Sequence, residues 1–313
     1  MPFKRTPQVF SASVNEVTIG TGEKSVTIGG ENVMPYNSFD AAMPHKTAIG
    51  VEISDLGIDR SVPGIAEYYA GAETLGEIAK RASEMEGADF VVLTLKGADP
   101  AGADRSTEEC AAEVEEVLAA VDCPLAVQGC KNIRKDSELF EKLAEKFQGK
   151  NILFISCREE DYKLLSASVG IAYDQCLSAE SAVDINLAKQ LNVLMSQIGV
   201  PARNHVMNIG AAAAGYGYEY VASTMDRVRG AALMQNDTML QMPIITPVAD
   251  EAWSVKEAVA SEEDFPEWGS REERGIHMEI STASAALIGG ANALILRHPV
   301  SVKTVSALVA ELM

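Results

Sequence analysis

The residues of this chain whose types and spacing could do chemistry form one conspicuous stretch and a set of scattered polar positions. Ala212 to Tyr220 reads AAAGYGYEY, two glycines and three tyrosines between an apolar segment and an amphipathic one. Glycine lets the main chain take positive φ or approach a ligand closely, and interleaved rings offer flat faces to stack on. A phosphate loop, a stacking shelf for a large cofactor and an ordinary packed turn all answer to that description. The spacing Gly215-x-Gly217-x-x-Tyr220 lacks the third glycine of a dinucleotide fingerprint, and Glu219 in the following helical turn would repel a phosphate. Bare backbone, alanine methyls and tyrosine rings therefore suit a broad, partly apolar ligand better.

Metal and nucleophile chemistry find less support. Cys110, Cys123, Cys130, Cys157 and Cys176 stand far apart with no C-x-x-C pair, so zinc knuckles and four-thiolate iron–sulfur clusters lack their usual spacing. The expectation is that the chain alone binds no iron. His45, His205, His277 and His298 form no H-x-H or H-E-x-x-H set, and there is neither a G-x-S-x-G elbow nor a cobalt-ligating D-x-H-x-x-G. GTGEKS at Gly20–Ser25 resembles the end of a P-loop, but Glu23 separates Gly22 from Lys24 and no helix-forming segment follows. A net charge of −19 opposes nucleic acid and anionic membrane as partners. The opening MPFKRTPQVF has no apolar leader core, and no uncharged apolar run reaches the roughly 18 residues of a membrane span. A cytoplasmic protein is expected, with small molecules or other proteins as partners.

What must position these residues is legible as alternation. Val14–Ile19 and Ser25–Val33 are β-rich and flank a glycine turn, so residues 1–45 are expected to form a hairpin extension. From residue 46 to 313, short apolar runs alternate with amphipathic stretches. Strands are predicted at Ala48–Ile53, Phe90–Leu95, Pro124–Val127, Ile152–Ile155, Ile171–Asp174, His205–Ile209, Pro243–Val248 and Ala293–Leu296. The helices between and after them are predicted at Thr74–Glu86, Thr107–Val121, Ser137–Phe147, Glu159–Ser168, Ala179–Ile198, Glu219–Met234, Arg271–Ile288 and Val300–Leu312. Eight strands and eight helices in strict order read as an α/β (β/α)8 TIM barrel; an open doubly wound sheet would normally carry a glycine-rich turn where VEISDLGID follows the first strand.

Barrel ligands bind at the C-terminal ends of the strands. The junctions there read Glu52 and Asp55, Lys96 and Asp99, Gln128 to Asn132, Ser156 and Cys157, Asp174 and Gln175, Asn208 to Gly217, Asp250 and Glu251, and Arg297 and His298. One assignment they allow is a free-standing pterin-dependent methyltransferase with Lys96, Asn132, Asp174 and Asn208 as its polar set.

Gly215 to Leu233, GYGYEYVASTMDRVRGAAL, resembles the loop and helix of the small subunit of the corrinoid iron–sulfur protein, the family that includes the delta subunit of acetyl-CoA decarbonylase/synthase. KTAIGVEISD at Lys46–Asp55, GCKNIRKD at Gly129–Asp136, INLAKQLN at Ile185–Asn192, DEAWSVKEA at Asp250–Ala258, WGSREERG at Trp268–Gly275 and RHP at Arg297–Pro299 match that pattern in order. The resemblance implies a TIM barrel without catalytic residues, paired with a larger subunit that carries the iron–sulfur cluster. It implies a cobalamin-type corrinoid shared between the two, taking methyl from a methyltetrahydrofolate methyltransferase and delivering it to acetyl-CoA synthase in the anaerobic acetyl-CoA pathway. Asn208, Ile209, Gly210, Ala211, Ala212, Gly215, Tyr216 and Gly217 are the expected corrinoid contacts, with Ile209, Ala211, Ala212 and Tyr216 on an exposed apolar patch for the partner. The family's D-P-T-T after the sixth strand is Asn208-Ile209-Gly210-Ala211 here, so its polar contacts do not carry over.

Overall fold

The computed structural model describes residues 6–313. Two antiparallel strands, β1 (Val17–Thr21) and β2 (Lys24–Ile28), form the expected hairpin, paired from Val17↔Ile28 to Thr21↔Lys24. Eight parallel strands follow: β3 (Ala48–Ser54), β4 (Phe90–Thr94), β5 (Leu125–Gln128), β6 (Leu153–Cys157), β7 (Cys176–Glu180), β8 (His205–Asn208), β9 (Ile245–Pro247) and β10 (Ala293–Leu296). Their order is β8-β7-β6-β5-β4-β3-β10-β9, and a parallel bridge from Met207 to Ile244 joins the two ends into a barrel.

The helices are α1 (Pro63–Tyr68), α2 (Leu75–Ser83), α3 (Thr107–Ala120), α4 (Ile133–Lys146), α5 (Tyr162–Leu165), α6 (Ile185–Ile198), α7 (Tyr218–Arg229), α8 (Val248–Ala252), α9 (Lys256–Val259), α10 (Arg271–Gly289) and α11 (Pro299–Leu312). Their starts obey local rules. Thr74 and Glu77 form a reciprocal capping box on α2, as do Ser106 and Glu109 on α3.

One predicted strand is misplaced. Ile171–Asp174 lies at the end of a wide helical turn over Ser166–Ala172, and the fifth barrel strand is β7, whose last two residues, Ala179 and Glu180, had been read as the start of a helix. Asp174 takes φ +48° and turns the chain into β7, whose Cys176 pairs with Leu153 and Leu177 with His205. Asp174 and Gln175 therefore sit at the N-terminal end of the barrel, away from the ligand end.

Alternation along the strands sends every second residue into the barrel. Ala48, Phe90, Val92, Ala126, Leu153, Ile155, Cys176, Val206, Ile245, Ala293 and Ile295 form one apolar cluster with Val17, Ile19 and Ile28 of the hairpin. The hairpin is thus a plug in the N-terminal mouth, sharing the barrel's own core. Asn151 fastens it, donating from Nδ2 to Thr18 O at 2.6 Å and Gly20 O at 3.0 Å. Behind it Arg229, fully buried, donates to Gly290 O at 2.7 Å and to Asn292 Oδ1, and lies 3.8 Å from Glu31 of the extension.

Candidate functional site

The same alternation that fills the lower barrel with hydrocarbon ends, one step higher, in polar groups. Glu52, Thr94, Gln128, Ser178, Glu180, Asn208 and Arg297 are the next inward positions of their strands, and they meet at the C-terminal mouth. Glu52 is almost wholly enclosed: Arg297 donates to its Oε2 from Nε at 3.2 Å and Nη2 at 2.8 Å, and Thr94 Oγ1 donates to its Oε1 at 3.2 Å. Lys96 stands 3.5 Å from Glu52 and 3.7 Å from Asp250. Asp250 also faces Lys131 at 3.4 Å and Arg297 at 3.6 Å, and accepts from Gln128 Nε2 at 2.8 Å. Burial pushes the Asp250 carboxyl up, but Lys131, Lys96 and Arg297 outweigh it and hold the group below the usual range.

Across the mouth runs a neutral chain. Asn208 Nδ2 donates to Ser156 Oγ at 3.0 Å, Ser156 and Ser178 share a hydrogen bond at 2.7 Å, and Gly210 N donates back to Asn208 Oδ1 at 3.0 Å. These groups border a cavity of about 240 Å³ whose walls include Lys131, Arg158, Glu180, Glu251, Gly210 and Ala211. Burial raises the Glu251 and Asp136 carboxyls in its wall.

A buried carboxylate explains Gly129 at this mouth. Asp136 accepts from Cys130 N at 2.8 Å and Cys130 Sγ at 3.2 Å, and a Cβ on Gly129 would lie 2.3 Å from its carboxyl. The GCKNIRKD block is therefore a loop folded over its own acid. Asn132 within it caps α4 through Lys135 N. Trp253 of the DEAWSVKEA block stacks on His298 with centroids 5.7 Å apart, and a Cβ on Gly275 would lie 2.3 Å from the indole. His298 itself faces inward, to Glu272 at 3.0 Å, and presents no nitrogen to the mouth.

The eight expected contact residues are divided by the fold. Asn208, Gly210 and Ala211 border the 240 Å³ cavity. Ile209 is fully buried in the layer between barrel and helices, so it is removed from the exposed patch proposed for it. Its neighbours Asn208 and Gly210 face the opposite way, as strand alternation requires. Ala212 packs partly against that same layer. Gly215, Tyr216 and Gly217 lie on the rim, where Tyr216 is 49% exposed and donates from its hydroxyl to Glu257 at 2.5 Å. Both rim glycines take positive φ, +86° and +94°. A Cβ on Gly215 would meet nothing within 4 Å and one on Gly217 only Tyr220 Cδ2 at 3.6 Å. The turn they shape needs glycine whether or not a ligand approaches.

The polar set proposed for a pterin enzyme does not assemble: Asp174 is at the far end of the barrel beside Arg203, and Asn132 is spent on a helix cap. Glu180, Arg158 and Asp136 belong to the mouth and had not been singled out. The first two follow from placing β7 correctly, since alternation through Cys176 and Ser178 points Glu180 inward, where Arg158 meets it at 3.1 Å.

A corrinoid is too large for a cavity of about 240 Å³ to enclose, since even drug-sized ligands occupy pockets of about 300–1,000 Å³. The residues present fit an edge of such a ring: amide, hydroxyl and cationic side chains for polar substituents, and uncovered backbone at Gly210 and Ala211. The remainder of such a ring would lie outside this cavity. Among the described residues there is no cluster of three or more His, Cys, Asp or Glu arranged to hold a metal ion, and no helix long and apolar enough to cross a membrane.

Residues 16–298 match the family described as CdhD, CO dehydrogenase/acetyl-CoA synthase delta subunit. The chain is 34% identical over 307 residues to acetyl-CoA decarbonylase/synthase complex subunit delta 1 of Methanosarcina thermophila, covering 94% of this chain and 69% of that one. It is 33% identical over 314 residues to the delta subunit of Archaeoglobus fulgidus, covering 96% and 68%. Among solved structures, dihydropteroate synthase of Xanthomonas albilineans with 4-aminobenzoic acid superposes with a TM-score of 0.53 at 12% identity, over 94% of this chain and 97% of that one. At that identity the likeness shows the shared barrel fold alone.

Proposed function

The chain belongs to the CO dehydrogenase/acetyl-CoA synthase delta subunit family, and on that premise we propose that it is the barrel subunit of a heterodimeric corrinoid iron–sulfur methyl carrier. In this reading a cobalamin-type corrinoid lies between the barrel mouth and a larger iron–sulfur subunit. The carrier receives methyl from a methyltetrahydrofolate:corrinoid methyltransferase and passes it to acetyl-CoA synthase in the anaerobic acetyl-CoA pathway. The observation that supports it most is the mouth itself: a small, open, polar cavity at the ligand end of a barrel, bounded by Asn208, Ser156 and the backbone of Gly210 and Ala211.

The corrinoid would supply the methyl-carrying cobalt; the protein supplies orientation and exclusion. Asn208 and Ser156, already ordered by their hydrogen bond, would hold polar substituents at the ring edge with little further loss of side-chain freedom. Lys131 and Arg158 would take acceptor groups on the same side. The rim of Ala212, Gly215, Tyr216 and Gly217 would border the seam with the larger subunit.

Co-purification from the native source with an ultraviolet–visible spectrum tests this. A corrinoid absorption travelling with this chain and a larger iron–sulfur subunit is the expected result. If the chain elutes free of both, the assignment is wrong. Methyl transfer from methyltetrahydrofolate to free cobalamin by the isolated chain would instead establish the pterin-dependent enzyme.

A further inference from the structure

On the β3 side of the mouth lies a separate pocket of about 220 Å³, reached past Leu56 in the loop after β3 and floored by Ile65 and Tyr69. Three observations set it apart. Its body is hydrocarbon: Leu56, Ile58 and Ile65 line it, and Leu56 is 58% exposed at its lip. Its inner end carries Lys96 and Arg297 beside Glu52. And the Tyr69 hydroxyl, on a residue only 2% exposed, is buried with no hydrogen-bond partner. A buried hydroxyl left unpaired is unfavourable by about 1–3 kcal/mol, so an ordered water or a ligand atom is expected to meet it.

The cations at the inner end are not equally engaged. Glu52 is saturated by Arg297, Thr94 and Lys96, and Asp250 by Gln128 and three cations. Lys96, Lys131 and Arg297 share Glu52 and Asp250, while Glu279 also acts on Arg297 and Glu251 on Lys131. The contacts of Lys96, at 3.5 Å and 3.7 Å, leave ammonium hydrogens undirected, and its side chain is 41% exposed. Asp59 on the outer wall is committed elsewhere, accepting from Ser61 N at 2.9 Å and lying 3.6 Å from Arg271. A buried ion network of this kind adds little net stability over well-packed hydrocarbon, so its position at a pocket calls for another use.

We propose that this pocket is a second binding site, for a small organic acid: a carboxylate or phosphate head at Lys96 and Arg297, an apolar body against Leu56, Ile58 and Ile65, and an acceptor atom at the Tyr69 hydroxyl. A cavity of about 150 Å³ accepts benzene, so this one has room for a ring or short chain with its head group. The site is independent of the corrinoid reading and is present in the isolated chain.

Calorimetric titration of the folded chain with benzoate, phenyl phosphate and the neutral benzyl alcohol tests the proposal. Saturable binding of benzoate or phenyl phosphate is expected, with the tighter of the two identifying the head group and benzyl alcohol at least about tenfold weaker, as the loss of a charge-assisted hydrogen bond requires. Lys96→Met should weaken the acid by about tenfold or more, Tyr69→Phe by a few-fold, and Leu56→Trp, which fills the pocket from its exposed lip, should abolish binding while circular dichroism stays unchanged. No saturable binding of either acid up to about 10 mM, equal binding of benzyl alcohol, or full binding in a folded Leu56→Trp variant would each overturn it.

Discussion

Gly217 decides between two uses of the GYGYEY loop, and the structure sets the size of the effect. The residue precedes α7 at φ +94°, ψ +15°, and an added Cβ would find only Tyr220 Cδ2 at 3.6 Å, an ordinary contact. No clash contributes, so the penalty of a side chain is conformational and amounts to about 1–2 kcal/mol for an L-residue in the left-handed region, less for asparagine. Gly217→Ala should therefore lower the stability of the isolated chain by about 1–2 kcal/mol, Gly217→Val by at least as much, and Gly217→Asn by clearly less. Urea unfolding reads this as a shift in midpoint at constant slope. In the proposed heterodimer, corrinoid content should then fall only in step with the folded fraction. Two results refute the reasoning: a ranking by side-chain volume with asparagine as damaging as valine, or loss of corrinoid from a variant that remains folded. Either would mean that backbone approach to a ligand, and not the turn, is what demands glycine.

Arg229→Met should destabilise the fold by about 3–5 kcal/mol, because it leaves Glu31 without its buried counter-charge and Gly290 O without its donor; a loss below about 1 kcal/mol in urea would show that the extension is not anchored there. His205 is buried with both ring nitrogens unpartnered, and burial lowers its pKa from 6.5 to about 4. Between those values the unfolded chain binds a proton that the native chain refuses, so stability falls as pH drops through that window, by on the order of 3 kcal/mol at about 1.4 kcal/mol per pKa unit. The pH slope of stability should flatten in His205→Leu; an unchanged slope from pH 6.5 to 4 would contradict the assignment. Gly275→Ala places a methyl 2.3 Å from the Trp253 ring, and the forced shift should cost about 1–3 kcal/mol and alter tryptophan emission; wild-type emission and stability together would disprove that contact.

The sequence by itself determined the barrel, because alternation of period two against period 3.6 is a local property that eight separate segments repeat. It also placed Glu52, Gln128, Asp250 and Arg297 at the ligand end, since each directly follows or ends an apolar strand. Residue by residue, more was legible than was read. Alternation from Val206 through Asn208 already turns Ile209 away from the mouth, where it is in fact buried. The fifth strand was not decidable locally. Ile171, Ala172 and Tyr173 have as much β character as Cys176–Glu180, and only pairing of Leu153 with Cys176 and Leu177 with His205, partners more than twenty residues away, selects one. With that choice went the end of the barrel on which Asp174 and Glu180 lie. The charge network, the glycines cleared by Asp136 and Trp253, and the unpartnered hydroxyl of Tyr69 were likewise fixed only by packing, because each depends on a distance between elements that no spacing along the chain encodes.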